Sequence, residues 1–475
     1  MDIAIINTLI ITFEGKGLGI IKAGGLGFED GKISYVGKMS EFEYKNADLI
    51  IDGNNKHATL PGLINAHIHS PLTICRGVVH DIPEGEYMFK GLSPFINQLR
   101  SEDSVLGTKL TVIEGIRSGT TTFAEYEGNV RNLVEKVYLP YNIRVVATET
   151  INERVHVNIH KPSELYEFNR SKGEESLKRA NELFKKFKNN DLVTPMYGPQ
   201  ALDMLTMDFL KEIKQQAISN ESKTYMHIAQ GARERQQITK RYGKDMTAVK
   251  LLKANDLLDT TLIAAHIHDT TTEERNLMVK NNVKMVGCPS AISKVDGIAP
   301  PLGDYIRLGG LAGIGTDEAP GSGHHNLFHE IKLASIFAKI AFQDPTILPP
   351  WESLKLATIS GAEVLGIEDQ IGSLKIGKRA DVITIDLHQP HLIPIINTPF
   401  HNILANLVYS SKGNEIDNVI IHGKPILLNN EFVEIDETSI INEVNNRAQE
   451  ICENASEDWE KSNSKMVEYH KSGFI

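Results

Sequence analysis

Between Thr59 and about Leu365, short β-like runs alternate with longer stretches of helical periodicity, and this constrains the fold more than any other feature. Neighbouring parallel strands must be joined by a long crossover, normally a helix, so sustained alternation predicts a parallel sheet covered by helices. The candidate strands are Thr59–Ile64, Thr120–Ala124, Ile143–Thr148, Leu192–Met196, Lys223–Met226, Thr261–Ala265, Val283–Gly287 and Leu311–Gly315. One crossover is legible in detail: Leu106, Leu110 and Ile113 recur at i, i+4 and i+7, and Ser118-Gly119 ends the helix. Eight such units predict an α/β fold, a (β/α)8 TIM-like barrel with its chemistry at the C-terminal strand ends.

The flanks read differently. Asp2 to Phe13 is rich in Ile, glycine-rich turns follow, and Glu29-Asp30-Gly31-Lys32 forms a hairpin turn before Ile33-Ser34-Tyr35-Val36. β-pattern returns at Ala380–Ile385, Val419-Ile420-Ile421 and Pro425–Leu428. The expected organisation is a small β-sandwich built from both chain ends (1–58 and 369–433), a barrel (59–368) and a C-terminal helix (434–475). Ile440, Val444, Ala448, Ile451, Cys452, Ala455 and Trp459 give that helix one apolar face. Gly372–Lys378 has the glycine and lysine spacing of a phosphate-binding loop. Arg379 stands where Ser or Thr is needed and no long helix follows, so it reads as a turn.

A net charge of −11 argues against nucleic acid or an anionic membrane as partner. No run of 18 apolar residues occurs, and the first residues lack a basic leader pattern. Cys75, Cys288 and Cys452 are an odd set without C-x-x-C spacing, the usage of a reduced, cytoplasmic protein.

The strand ends carry the chemistry. The first is followed by His67-Ile68-His69, whose i, i+2 spacing puts both imidazoles on one side of a strand. The fifth ends in Met226-His227, the sixth in Ala265-His266 and the eighth in Thr316-Asp317. A barrel gathers these at one mouth, where three neutral imidazoles and a carboxylate suit Zn²⁺ or Fe²⁺ with one position open for water. Such a metal lowers the pKa of water from 15.7 to about 7. His266, where it is not a ligand, can hold that water and act as acid and base; His268 shares its face of the strand.

Pro61–His69, Met226-His227, Ala265-His266, Gly315-Thr316-Asp317 and Gly377–Asp381 together resemble the metal-dependent amidohydrolase superfamily. The branch most similar contains S-adenosylhomocysteine/methylthioadenosine deaminases and s-triazine hydrolases. Arg76-Gly77, Ser118–Thr122, Gly297–Pro300 and Ala357–Ala362 extend the likeness over nearly the whole chain. The resemblance implies one divalent transition metal, zinc or iron, on His67, His69, His227 and Asp317, with His266 holding the attacking water. The branch bridged by a carbamylated lysine on strand four is not matched, since Leu192–Tyr197 contains no lysine. The implied activity is hydrolytic deamination of an amino-substituted nitrogen heterocycle such as a purine, pterin, triazine or adenosine-like compound. The expected partner is that small molecule, and the expected assembly a homodimer or higher homo-oligomer.

Three departures bear on the substrate. The family's deaminases carry Glu three residues after the strand-five histidine, and this chain has Gln230, an amide that cannot deliver a proton. Glu234, one turn on, and Glu318, beside Asp317, are the carboxyls that could substitute, at positions the family does not use. Cys288–Ile292 lacks the family's strand-seven asparagine, and Glu318–His325 replaces a Gly- and Asn-rich loop. Hence an alternative stays open: the same centre acting on a cyclic amide, or displacing an alkylamine or halide. A non-catalytic barrel is the third reading. Gln230, Glu86, Tyr87, Glu318 and His324 are the candidate substrate contacts, although Tyr87, Met88 and Phe89 also read as packing under a loop. Glu84 and Glu86 read as a solvated face, with ribose or amine binding as the alternative.

Overall fold

The computed structural model describes residues 1–155 and 164–475. Eight parallel strands form one sheet in sequence order: β1 (Leu63–Ile68), β2 (Thr120–Glu127), β3 (Arg144–Ile151), β4 (Val193–Pro199), β5 (Thr224–Ile228), β6 (Leu262–His266), β7 (Lys284–Gly287) and β8 (Ala312–Ile314). The predicted barrel is therefore present, and its seam lies just beyond β8. There the Thr316 and Asp317 N–H groups both donate to the His67 carbonyl, at 3.1 and 3.0 Å. Gly315 makes that approach feasible, because a Cβ on it would lie 2.5 Å from both the backbone N and O of His67.

Ile64, Ala66, Ala124, Tyr126, Val146, Met196, Tyr225, Ile263, Ala265 and Val286 fill the barrel interior. Their i, i+2 spacing within a strand is the pleat's own period, and β-branched and aromatic side chains suit that packed centre.

The run expected as the first barrel strand is divided between two sheets. His57–Pro61 pairs with Val382–Asp386 and Ile3–Ile11 in the second sheet, and β1 starts at Leu63. From Ala58 to Pro61 and from Leu63 to Ile68 every residue is buried, so burial alone does not mark the division.

That second sheet draws on both chain ends. Its order is Glu431–Phe432, Lys424–Leu428, Ile416–Ile421, Val382–Asp386, His57–Pro61, Ile3–Ile11, Ile20–Glu29 and Lys32–Lys38, with Leu49–Asp52 also pairing to Ile3–Ile11. A buried ion pair ties it to the barrel: the Arg144 guanidinium at the start of β3 meets the Asp381 carboxylate at 2.5 and 3.0 Å. The loop-like phosphate motif, Gly372–Lys378, is irregular chain beside this sheet. The C-terminal helix, Glu437–Ser462, buries Ile440, Val444, Ile451 and Ala455. Its Arg447 grips Asp103 on the first crossover helix, Ser101–Arg117, at 2.7 and 3.0 Å.

Candidate metal centre

Simple strand alternation does not bring all the histidines together. Ile64 and Ala66 face the barrel interior, and the β1–β2 register shifts between Asn65 and Ile68. Such an irregularity re-aims side chains, and it carries His67 into the mouth with His69 one residue past the strand. On β6, Ala265 faces inward, so alternation would turn His266 away. His266 instead takes a φ of +75°, and Asp317 one of +61°. These left-handed conformations are costly for non-glycine residues and gather at functional sites. They aim both side chains into the same space.

The result is a tight cluster. His227 Nε2 lies 3.2 Å from His67 Nε2 and 3.3 Å from His69 Nε2. Asp317 Oδ1 is 3.9 Å from His67 Nε2 and 3.7 Å from His69 Nε2, while its Oδ2 is 3.7 Å from His266 Nε2. Nitrogen ligands around a tetrahedral zinc at about 2.0–2.1 Å stand roughly 3.3 Å apart. The imidazole spacing matches that shell.

Tautomers make the argument stronger. His227 Nδ1–H donates to the Gln200 carbonyl at 2.9 Å, and the Tyr126 backbone acts on the His69 ring as an acceptor, pulling its pKa up. Each Nε2 is then a bare lone pair, provided that the rings are neutral. They are: burial first, and then the neighbouring imidazoles, drives His67 and His266 well below the usual range and His227 down to about 3. Burial also lowers His69. Two lone pairs facing each other at 3.3 Å repel unless a cation lies between them. The donor set therefore fits a divalent transition metal. Asp317 is pushed up by burial and by the adjacent Glu318 charge, a balance that a divalent cation reverses.

A buried polar network props up the seam. Asn65 Nδ2 donates to Thr316 Oγ1 at 2.8 Å, Thr316 Oγ1 is 2.9 Å from His325 Nδ1, and His325 Nε2 is 2.7 Å from Thr73 Oγ1. Glu125 on β2 accepts the Ser70 N–H at 3.1 Å and the Tyr138 hydroxyl at 2.5 Å, fixing the residue after His69. Burial raises Glu125 to about 7. Cys288 approaches His266 and Asp317, but burial keeps its thiol protonated. Gln200, Tyr126 and Glu125 carry no signal in the sequence, whereas His325 follows Asp317 closely enough in sequence to reach the mouth. Gln200 and Tyr126 contribute backbone carbonyls here, which no side-chain pattern can signal.

The candidate substrate contacts separate into two groups. Tyr87 is buried and its hydroxyl donates to Glu318 Oε1 at 3.1 Å, while the Glu318 N–H donates to Asp317 Oδ1 at 2.8 Å. These two are joined to the centre. Gln230 lies just before Gly231, the N-cap of the helix Ala232–Tyr242, its N–H donating to Glu234 Oε2 at 2.8 Å, and its side chain has no hydrogen bond among the described residues. Glu234 is fully buried, and desolvation followed by the Asp203 charge raises it to about 8. Glu86 instead pairs with Lys90 one turn on, at 3.0 Å. His324 is held by Ser290 at 3.1 Å and stacks edgewise on His329. His268 points elsewhere than the cluster, with its ring centroid 6.2 Å from that of His266.

The model of the amidohydrolase family matches residues 58–426. A 5'-deoxyadenosine deaminase of Methanosarcina acetivorans is 30% identical over 457 residues, covering 96% of this chain and 99% of that protein. A 5-methylthioadenosine/S-adenosylhomocysteine deaminase of Moorella thermoacetica is 30% identical over 435 residues, covering 90% and 95%. Among solved structures, an adenosine deaminase from Xanthomonas campestris with bound zinc superposes with a TM-score of 0.85 at 24% identity, covering 95% of this chain and 98% of that one. An atrazine chlorohydrolase from Arthrobacter aurescens complexed with zinc gives 0.81 at 18% identity, covering 94% and 100%. These two likenesses speak for the fold.

Proposed function

The chain belongs to the amidohydrolase family, and from that membership and the chemistry of the barrel mouth we propose that it is a mononuclear metal-dependent aminohydrolase. It releases ammonia from an amino-substituted nitrogen heterocycle of adenosine-like type. The observation that carries this reading is the pair of bare Nε2 lone pairs on His69 and His227, 3.3 Å apart beside His67 and Asp317. The names of the two curated relatives support the substrate type.

His67, His69, His227 and Asp317 would hold the metal, zinc or iron. When bound, the metal supplies a Lewis acid that makes water nucleophilic at neutral pH. His266 Nε2 orients the attacking water and takes its proton, and Asp317 Oδ2, 3.7 Å away, relays it towards the leaving amine. Gln230 orients the ring through its amide. Glu318, held by the Tyr87 hydroxyl beside Asp317, is the carboxyl placed to bring a proton to the ring nitrogen.

A second reading rests on Gln230: without an acid at that position, the same centre suits loss of another substituent or opening of a cyclic amide. An ammonia-release screen of metal-loaded enzyme separates the two. We expect stoichiometric ammonia from 5'-deoxyadenosine, methylthioadenosine or an oxo-substituted aminoheterocycle. Ammonia from none of these, with another group released, transfers the enzyme to the second reading. Gln230→Glu is expected to raise kcat/KM for simple aminopurines relative to oxo-substituted rings. No change would make Gln230 a bystander.

No helix among the described residues is long and apolar enough to cross a membrane. We assign the enzyme to the cytoplasm on its three free cysteines. We expect a homodimer or higher homo-oligomer, which light scattering tests directly.

A further inference from the structure

Beside the metal cluster lies a second group of side chains that the reaction does not use. His268, 4% exposed, has no hydrogen-bond partner on either ring nitrogen among the described residues. Leaving both nitrogens of a buried imidazole unpaired is costly, and in a native fold it calls for a partner not yet named. Its Nε2 sits 3.5 Å from the position that a Cβ on Gly231 would occupy. Asp296 Oδ1 lies 3.5 Å from the same position, and the Glu84 carboxyl carbon 3.7 Å. Three polar groups from three separate loops thus converge on the same side of the Gly231 backbone, each at contact distance from where a side chain would begin.

Charge in this region does not balance. Arg233, whose charge acts on Glu84, is engaged by Asp203 at 2.8 Å and by the Tyr166 hydroxyl at 3.0 Å. Arg235 is engaged by Asp269. Neither Glu84 nor Asp296 is paired with a lysine or arginine among the described residues, and Asp296 is only 3.6 Å from His268 Nε2. A neutral diol would satisfy hydrogen bonds here but leave two carboxylates repelling each other. A compact cation satisfies both the charges and the imidazole.

We propose that Glu84, Asp296 and His268 form a subsite, adjoining Gln230, that binds a cationic nitrogen group on the substrate. The subsite deepens the aminohydrolase reading and rests on it: the substrate class becomes an aminoheterocycle carrying an ammonium substituent. Glu84 and Asp296 take the charge, and the bare Nε2 of a neutral His268 accepts one hydrogen bond from it. Its ring is 6.2 Å from that of His266, so the cation sits within a few bonds of the reacting ring.

Three adenosine derivatives test this, each bearing –CH2–NH3⁺ at C2, at C8 or as the 5' group, each paired with a neutral partner having –CH3 in place of –NH3⁺. Binding is measured by calorimetry on the metal-loaded protein, and ammonia release is measured in parallel. At least one cationic member is expected to bind roughly tenfold or more tightly than its partner, with the preference shrinking as salt rises. Glu84→Gln and Asp296→Asn should each reduce that ratio, and together bring it to within about twofold, while the neutral partners' affinities stay unchanged. Equal affinity within all three pairs in wild type, including no binding of either member, overturns the subsite. So does a preference that survives the double variant. Absence of ammonia from every compound condemns the aminohydrolase reading instead, and the affinity ratios still decide the subsite independently.

Discussion

His227 and His266 are both buried imidazoles at strand ends, yet their surroundings give them different tasks. His227 has its Nδ1–H spent on a carbonyl and its Nε2 wedged between two other Nε2 atoms, whereas His266 Nε2 makes no contact that short, lying 3.7 Å from Asp317 Oδ2 with His67, His227 and Cys288 within 4.8 Å. His227→Ala should therefore lose metal and activity together, read by elemental analysis of the purified protein. His266→Asn should keep most of the metal while kcat falls by roughly 10²–10⁴-fold. Metal loss from His266→Asn equal to that from His227→Ala would make His266 a ligand. Glu330 gives a pH prediction. Burial raises it to about 8, its Oε2 accepting the Ser290 N–H at 2.9 Å and its Oε1 without a hydrogen bond among the described residues, 3.7 Å from His324 Nε2. A carboxyl raised above its unfolded value stabilises the fold fully below pH ~4.3 and loses that contribution as pH rises towards 8. The slope approaches about 1.4 kcal/mol per pH unit within that window. Urea melts from pH 5 to 9 should show wild type losing stability relative to Glu330→Gln as pH rises. Parallel curves would remove Glu330 from the account.

At the scale of the element, the seam between β8 and β1 decides whether the centre exists. The Thr316 and Asp317 N–H groups share the His67 carbonyl, so closing the barrel and bringing His67 and Asp317 together are one event. Gly315→Ala puts a methyl 2.5 Å from His67 backbone atoms that cannot rotate away. Overpacking of this kind typically costs about 1–3 kcal/mol or more. The variant should show a lower melting temperature together with weaker metal retention during dialysis against a chelator. A variant as stable as wild type that also keeps its metal would mean that the seam tolerates widening. The motif Gly315-Thr316-Asp317 is legible in sequence, but the reason for its glycine lies across the barrel.

For the whole molecule, the two sheets are joined at the end of the barrel opposite the metal centre. Arg144 and Asp381 are 4% and 2% exposed, and their bidentate pair connects the start of β3 to the sheet made from both chain ends. Asp381→Ala leaves a buried guanidinium without its charge partner, a loss of about 3–5 kcal/mol for pairs of this kind. Melting temperature should drop sharply, while KM and the metal content of the folded fraction remain near wild type. A change in KM matching the change in stability would mean that the second sheet communicates with the mouth.

Alternation of strand and helix determined the barrel, and the positions of histidines at the ends of strands one, five and six, with Asp317 after strand eight, marked the residues that cluster at its mouth. Both are periodic or positional signals, and the sequence carries them because burial on a pleated or helical surface imposes its period on side-chain choice. Tertiary structure alone decided the rest. The chain's passage from one sheet to the other near Gly62 is hidden because the chain is buried on both sides of it. The turning of His266 and Asp317 into the mouth depends on left-handed backbone angles that a non-glycine residue does not advertise. The meeting of Glu84, His268 and Asp296 around Gly231 depends on three loops from different strands. Local periodicity records which way one element faces. Convergence of side chains remote in sequence is fixed only when the barrel closes and brings their strand ends to one rim.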